Sequence, residues 1–182
     1  MNGPVFALIA LDSNNYKTTD STIRQQYIDY ILDAELDGGG WTFFGSADPD
    51  MTGMTIQALS RYMDNADVKS AVERGIDKLS EMQNDDGGYA SWGSVNSESI
   101  SQVIVACTSV GIDPNTDSRF VKNGKSAVDA LLGFYDSSST TFTFRHVMDG
   151  AVNGMATDQA SYALVAYQRF INNKNSLYNM SD

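Results

Sequence analysis

Leu79-Ser-Glu-Met-Gln83-Asn-Asp-Asp-Gly87-Gly88-Tyr89 decides how this chain folds. The segment leaves an amphipathic stretch, passes an acidic turn, and ends on two glycines and an aromatic ring. Gly39-Gly40-Trp41 has the same ending 48 residues earlier, and a third, degenerate copy centres on Phe142-Thr-Phe144. A polar loop follows each ending, and then a helical stretch carrying Gln57, Gln102 or Gln159, spaced 45 and 57 residues apart. A period near fifty is the size of a helix pair with its loops. The glycines permit a positive-φ turn after the first helix of a pair, and the aromatic ring can wedge between neighbouring pairs. Trp41, Tyr89 and Phe142 are therefore expected at equivalent places in successive pairs.

Periodicity predicts about seven helices of two alternating kinds. One kind is amphipathic, with inward stripes at Ile23, Tyr27, Ile31 and Ala34, at Val68, Val72, Ile76, Leu79 and Met82, and at Val128, Leu131, Leu132 and Tyr135. The other is apolar on nearly every side: Val5 to Leu11, Ile100 to Val110, Met155 to Tyr167 and, more weakly, Met51 to Tyr62. A helix without a polar face has to be covered all round. The alternation thus predicts an inner and an outer layer, an all-α fold of the partial α/α-toroid type filling one domain over residues 1–182. Thr22-Ile-Arg-Gln25 reads as a capping box, Asn65 precedes the Val68 helix, and Asp113 to Asp117 offer turn and cap groups. No sheet is expected, since Thr140 to Phe144 alternates too briefly.

The 182 residues, 42% of them hydrophobic, suffice for one domain with a core. A net charge of −11 argues against nucleic acid or an anionic membrane as partner. Cys107 is the single cysteine, so no intrachain disulfide forms, and its apolar surroundings read as a buried small hydrophobe. Pro4 to Leu11 is apolar but too short for a membrane span and lacks the flanks of a signal peptide. It reads as an inner helix without its preceding partner. The expectation is that the parent protein continues upstream, and that this N-terminal edge packs on the missing part or self-associates.

The Leu79-to-Tyr89 segment resembles the Gln/Trp-type repeat of squalene-cyclase-like and protein-prenyltransferase-like α/α-toroids. More narrowly, Asp48-Pro-Asp-Met-Thr52, Asn96-Ser-Glu-Ser-Ile-Ser-Gln-Val-Ile-Val105 and Asn153-Gly-Met-Ala-Thr-Asp-Gln159 resemble the toroid domain of large surface proteins of Gram-positive bacteria. This resemblance implies an extracellular or cell-surface setting, and an incomplete acid motif and a missing zinc triad make a non-catalytic binding or interaction module the leading expectation. The resemblance covers essentially the whole chain.

Class II terpene cyclases of this fold use an Asp-x-Asp-Asp-Thr motif whose middle acid protonates an alkene. Asp48-Pro49-Asp50-Met51-Thr52 resembles it with Asp50 in that place and Asp48 beside it, but Met51 replaces the adjoining carboxylate. The competing structural role is that Asp50 or Thr52 caps the helix beginning there. Protein prenyltransferases hold zinc with Asp, Cys and His; Cys107 and His146 lack that surrounding pattern, so neither a metal site nor a cofactor is expected. His146 reads instead as a loop histidine. Asn84-Asp85-Asp86 lacks the alternating ligands of a calcium loop and reads as a turn.

Trp41, Phe43, Phe44, Tyr89, Trp92, Phe142 and Phe144 gather at one loop end of successive repeats. Trp41, Phe44, Tyr89 and Trp92 are candidates to stack on a small apolar or carbohydrate ligand, with Gln57, Gln102 and Gln159 as polar neighbours. The competing role for all of them is interior packing and satisfied amide hydrogen bonds. The enzymatic alternative is a terpene-cyclase or prenyltransferase-like fragment with Asp50 as its acid.

Overall fold

The computed structural model describes residues 1–182 apart from 139 and 180. Among these it contains seven α-helices: α1 (Asn2–Asp12), α2 (Ile23–Asp33), α3 (Pro49–Leu59), α4 (Ala66–Met82), α5 (Ser97–Ser109), α6 (Ala127–Gly133) and α7 (Gly154–Ile171). In the inner row, α1 packs on α3, α3 on α5 and α5 on α7. The outer helices α2, α4 and α6 each pack on the inner helix before them in the chain. The fold is all-α, a partial toroid of alternating inner and outer helices.

Residue choice sets the layer of each helix. Helix α4 buries Val68, Ala71, Val72, Gly75, Ile76 and Leu79, which share one face at helical spacing, and leaves its charged face in water. Helix α5 is buried from Ser97 to Cys107 without interruption. Its serines close hydrogen bonds inside that cover; Ser101 Oγ, for example, donates to the Ser97 carbonyl at 2.7 Å. Helix α7 buries a stripe of alanines, Ala156, Ala160, Ala163 and Ala166, whose small side chains bring it close to α5. Between α3 and α5 the approach depends on Gly53, where an added Cβ would stand 3.0 Å from the Gln102 carbonyl oxygen. At the opposite end of the row α1 packs on α2 and α3, and Leu8 is enclosed while Phe6 remains 47% exposed.

Several local expectations need correction. Two minute antiparallel pairs exist, β1 (Ala90–Ser91) with β2 (Ser94–Val95), and β3 (Val121–Lys122) with β4 (Lys125–Ser126). Both are hairpin tips in loops, too short to form a layer. The Thr22 side chain makes no cap bond; Asp20 Oδ1 instead accepts from the Thr22 amide and hydroxyl. The reciprocal capping box lies at Ser126 and Asp129, opening α6. Leu132 and Tyr135 are not part of the inward stripe of α6, since they are 51% and 37% exposed. That helix ends at Gly133, before the stripe can continue.

The turn glycines behave as their repetition implied. Gly39 and Gly87 take φ 90° and 82°, and each amide donates 2.9 Å back to the carbonyl three residues earlier, Leu36 or Asn84. At Gly87 a Cβ would stand 2.5 Å from the Ser126 carbonyl oxygen.

Candidate functional site

One local device opens α3, α5 and α7. The carbonyl of a buried aromatic residue accepts from the amide of the helix cap: Trp41 from Asp48 at 3.0 Å, Tyr89 from Asn96 at 3.2 Å and Phe144 from Asn153 at 2.9 Å. The cap side chain then accepts from the amide three residues on, Asp48 from Met51 (2.8 Å), Asn96 from Ser99 (2.8 Å) and Asn153 from Ala156 (3.1 Å). The N-terminus of each inner helix is thereby satisfied and held in a fixed rotation. The third aromatic of the repeat is therefore Phe144, fully buried, and not Phe142, which is 55% exposed. Asp48 is the cap of α3, rather than Asp50 or Thr52; the Thr52 hydroxyl accepts from the Trp41 amide at 3.0 Å and stands 3.1 Å from its carbonyl.

The shared rotation points equivalent side chains one way. Two residues after the caps stand Asp50, Glu98 and Met155; one turn later stand Met54, Gln102 and Gln159. All six line one cavity of about 350 Å³, with Ser91, Trp92, Ser94, Asn96 and His146 completing its wall. The predicted Asp50, Gln102, Gln159 and Trp92 are thus brought together. Gln57 is not: it lies nine residues after its cap, faces a small separate cavity beside Arg61 and Tyr178, and donates to Gln102 Oε1 at 2.9 Å. Trp41 and Tyr89 are fully enclosed and serve the core, the Trp41 indole donating to the Ile31 carbonyl at 2.8 Å. Phe44 is not among the residues that line this cavity and is 81% exposed on the loop that leads into α3.

Burial pushes the Asp50 carboxyl up to about 6, and the neighbouring Asp48 charge adds to this; a hydrogen bond from Ser99 Oγ at 3.1 Å acts the other way. Asp50 can accordingly hold or give a proton near neutral pH. Glu98 accepts from His146 Nδ1 at 2.8 Å and from Ser97 Oγ at 3.1 Å. With Nδ1 so engaged, the other ring nitrogen of His146 keeps its hydrogen-bonding capacity. Gln102 Nε2 donates to Gln159 Oε1 at 2.9 Å and also to the Tyr162 hydroxyl, so among the described residues the Gln159 NH2 group is the donor left at the end of a Gln57–Gln102–Gln159 chain.

Glu98, Met54 and Met155 line the cavity without being singled out in the sequence, and His146, read there as a loop histidine, does lie in the loop between α6 and α7. The signal for the first was Asn96-Ser-Glu98, which repeats the cap-plus-two spacing of Asp48-Pro-Asp50. Met51, at the place of the terpene-cyclase motif's adjoining acid, is fully buried and lies outside the cavity. Cys107 is enclosed in the core away from His146, and burial pushes its thiol pKa well up. Among the described residues no group of three or more His, Cys, Asp or Glu side chains is placed to hold a metal ion, and no helix is long and apolar enough to cross a membrane.

The profile of the squalene-hopene cyclase C-terminal domain matches residues 19–149 of the chain, from before α2 through the His146 loop. No curated protein gives a match.

Proposed function

Because this chain belongs to the squalene-hopene cyclase C-terminal domain family, we propose that it is a non-catalytic binding module that holds a small ligand in the cavity at the N-terminal ends of its inner helices. The parent protein in this reading acts at a bacterial cell surface, which rests on the resemblance of the Asp48, Asn96 and Asn153 segments to such toroids. One observation carries the binding role: repeat-equivalent positions on three helices supply a matched set of carboxylates, amides and thioethers to one cavity. Two methionines give adaptable apolar contact, and Gln159, His146 and Asp50 give hydrogen bonds. Such a lining suits a ligand with an apolar body and several polar groups.

A second reading has Asp50 as the acid of a polyene cyclase, and it is favoured by the place of Asp50 in the cavity wall, where burial pushes its carboxyl up to about 6. Against it stands Met51, since the neighbouring carboxylate that would hold the proton ready is replaced by a side chain packed into the core. Incubation with squalene-like polyenes and isoprenoid diphosphates, with and without zinc or magnesium, separates the two. The binding reading expects no product by mass spectrometry. Product formed by the native chain and lost in Asp50→Asn would establish the enzyme instead.

A further inference from the structure

Beside the inner-helix cavity lies a second recess of about 230 Å³, in the groove between the loops that enter α3 and α5. Its walls include Phe44 on one loop and Trp92 on the next, 81% and 83% exposed. The two residues are equivalent in the repeat: each lies three positions after a buried aromatic, Trp41 or Tyr89, and each precedes a glycine with φ near 80°, Gly45 at 81° and Gly93 at 84°. Trp92 itself takes φ 53°, a left-handed backbone that a bulky residue rarely adopts. Among the described residues the close ring pairs are confined to Tyr135, Phe142 and Phe144, so neither Phe44 nor Trp92 spends its face on another ring. Neither is part of the core.

Polar groups edge the same recess. Thr42 accepts from the Phe44 amide at 2.9 Å, which leaves its hydroxyl hydrogen to donate outward. Asp48 Oδ2 accepts from Ser91 Oγ at 2.7 Å and retains lone-pair capacity, and Ser46 adds a further hydroxyl. Two aromatic faces with hydroxyls and a carboxylate around them match a pyranose ring, which has apolar C–H faces and a belt of hydroxyl groups. An isoprenoid would leave those polar groups unpaired and its own surface in water. The recess is also smaller than the roughly 300–1,000 Å³ of pockets for drug-sized ligands, which fits a single ring of a longer chain. With a net charge of −11 on the protein and Asp48 in the wall, the sugar is a neutral one.

We propose that Phe44 and Trp92 form a carbohydrate subsite that grips one neutral pyranose ring of an oligosaccharide, a proposal that rests on the binding reading and names its ligand class. Trp92 also lines the inner-helix cavity, so an adjoining sugar unit reaches from the recess to Gln159 and His146.

The test uses the whole chain, carbon-13 labelled at methionine methyls and aromatic rings, titrated with soluble hexasaccharides of β-1,4-glucose, β-1,4-N-acetylglucosamine and α-1,4-glucose. At least one is expected to move the Phe44 and Trp92 ring signals below about 10 mM, with Phe44→Ala and Trp92→Ala each weakening binding by about tenfold or more. Phe44→Trp should retain binding, and unchanged melting temperatures for all three variants would show that the fold is intact. Unmoved Phe44 signals with all three sugars, or full affinity in both alanine variants, would overturn the proposal. Shifts confined to the Met54 and Met155 methyls would overturn this subsite while leaving the inner-helix cavity as a binding site. Polyene turnover dependent on Asp50 would instead overturn the binding reading itself.

Discussion

Ser99 Oγ on α5 donates to Asp50 Oδ2 on α3 at 3.1 Å, linking two neighbouring inner helices beside the cavity. The bond alone does not keep Asp50 ionised. Burial, followed by the Asp48 charge, dominates and raises its carboxyl from 3.8 to about 6.

Stability should therefore carry a pH signature. Between about 4 and 6 the folded state holds more protons at Asp50 than the unfolded chain, so this group's contribution falls as pH rises through that window and is flat above it. Asp50→Asn removes the effect. The stability of the variant relative to the native chain should improve by up to about 3 kcal/mol between pH 4 and pH 7, measured by urea denaturation at both values. The comparison has to be made between the two proteins, because Asp117, held down to about 2 chiefly by its hydrogen bond from Arg119, contributes pH dependence of the opposite sign below 4. An unchanged difference would mean that Asp50 is not buried as described.

Thr52→Val tests the device that opens α3. Valine keeps the shape but leaves the buried Trp41 amide without its partner at 3.0 Å, and the expected loss is about 1–3 kcal/mol. The equivalent change at Thr157, whose bond from the Phe144 amide is only partly buried, should cost less. Chemical denaturation of both variants checks the order. Equal and negligible losses would show that these bonds do not hold the inner helices.

The repeated glycine turn and the all-round cover of α3 and α5 were legible in the sequence, because both arise from chemistry within one repeat. Helices α1 and α7, expected to be covered all round, instead sit at the two ends of the row and leave Phe6, Met155 and Val165 exposed. What failed was the third repeat. The bond that closes the turn spans Leu36 to Gly40 and Asn84 to Gly88, but Asp136 to Thr143 in the last copy, three residues longer. The first aromatic of that loop is thus Phe142, whereas the extra residues carry the wedge to Phe144. The cavity was half legible. Asp50, Gln102 and Gln159 stood out by residue type, but Glu98 and His146 gain meaning only once Asp48, Asn96 and Asn153 are known as caps that set one rotation for three helices. Trp41 and Tyr89 looked like ligand platforms because sequence does not distinguish an aromatic wedge from an aromatic rim.

Gly87→Ala should be among the most damaging single-methyl additions to the chain. The new Cβ would stand 2.5 Å from the Ser126 carbonyl oxygen, on a backbone with φ 82°. Gly93→Ala has a comparable φ of 84° but open space around the Cβ. Thermal melts should place Gly87→Ala well below Gly93→Ala, the latter losing only about 1 kcal/mol from backbone strain. Similar melting temperatures would contradict the close packing of the second turn against the start of α6.

The convergence of three inner helices on one ligand is tested most directly by the methyl signals of Met54 on α3 and Met155 on α7, which line the cavity from opposite sides of α5. A ligand that binds there, found by titrating neutral oligosaccharides, polyols and short polyenes, should move both signals along one binding curve and leave the core methyl of Met51 in place. Gln102→Ala should weaken that curve. Signals that move independently, with different affinities, or that ignore every compound while Met51 responds, would contradict a shared site at the helix N-termini.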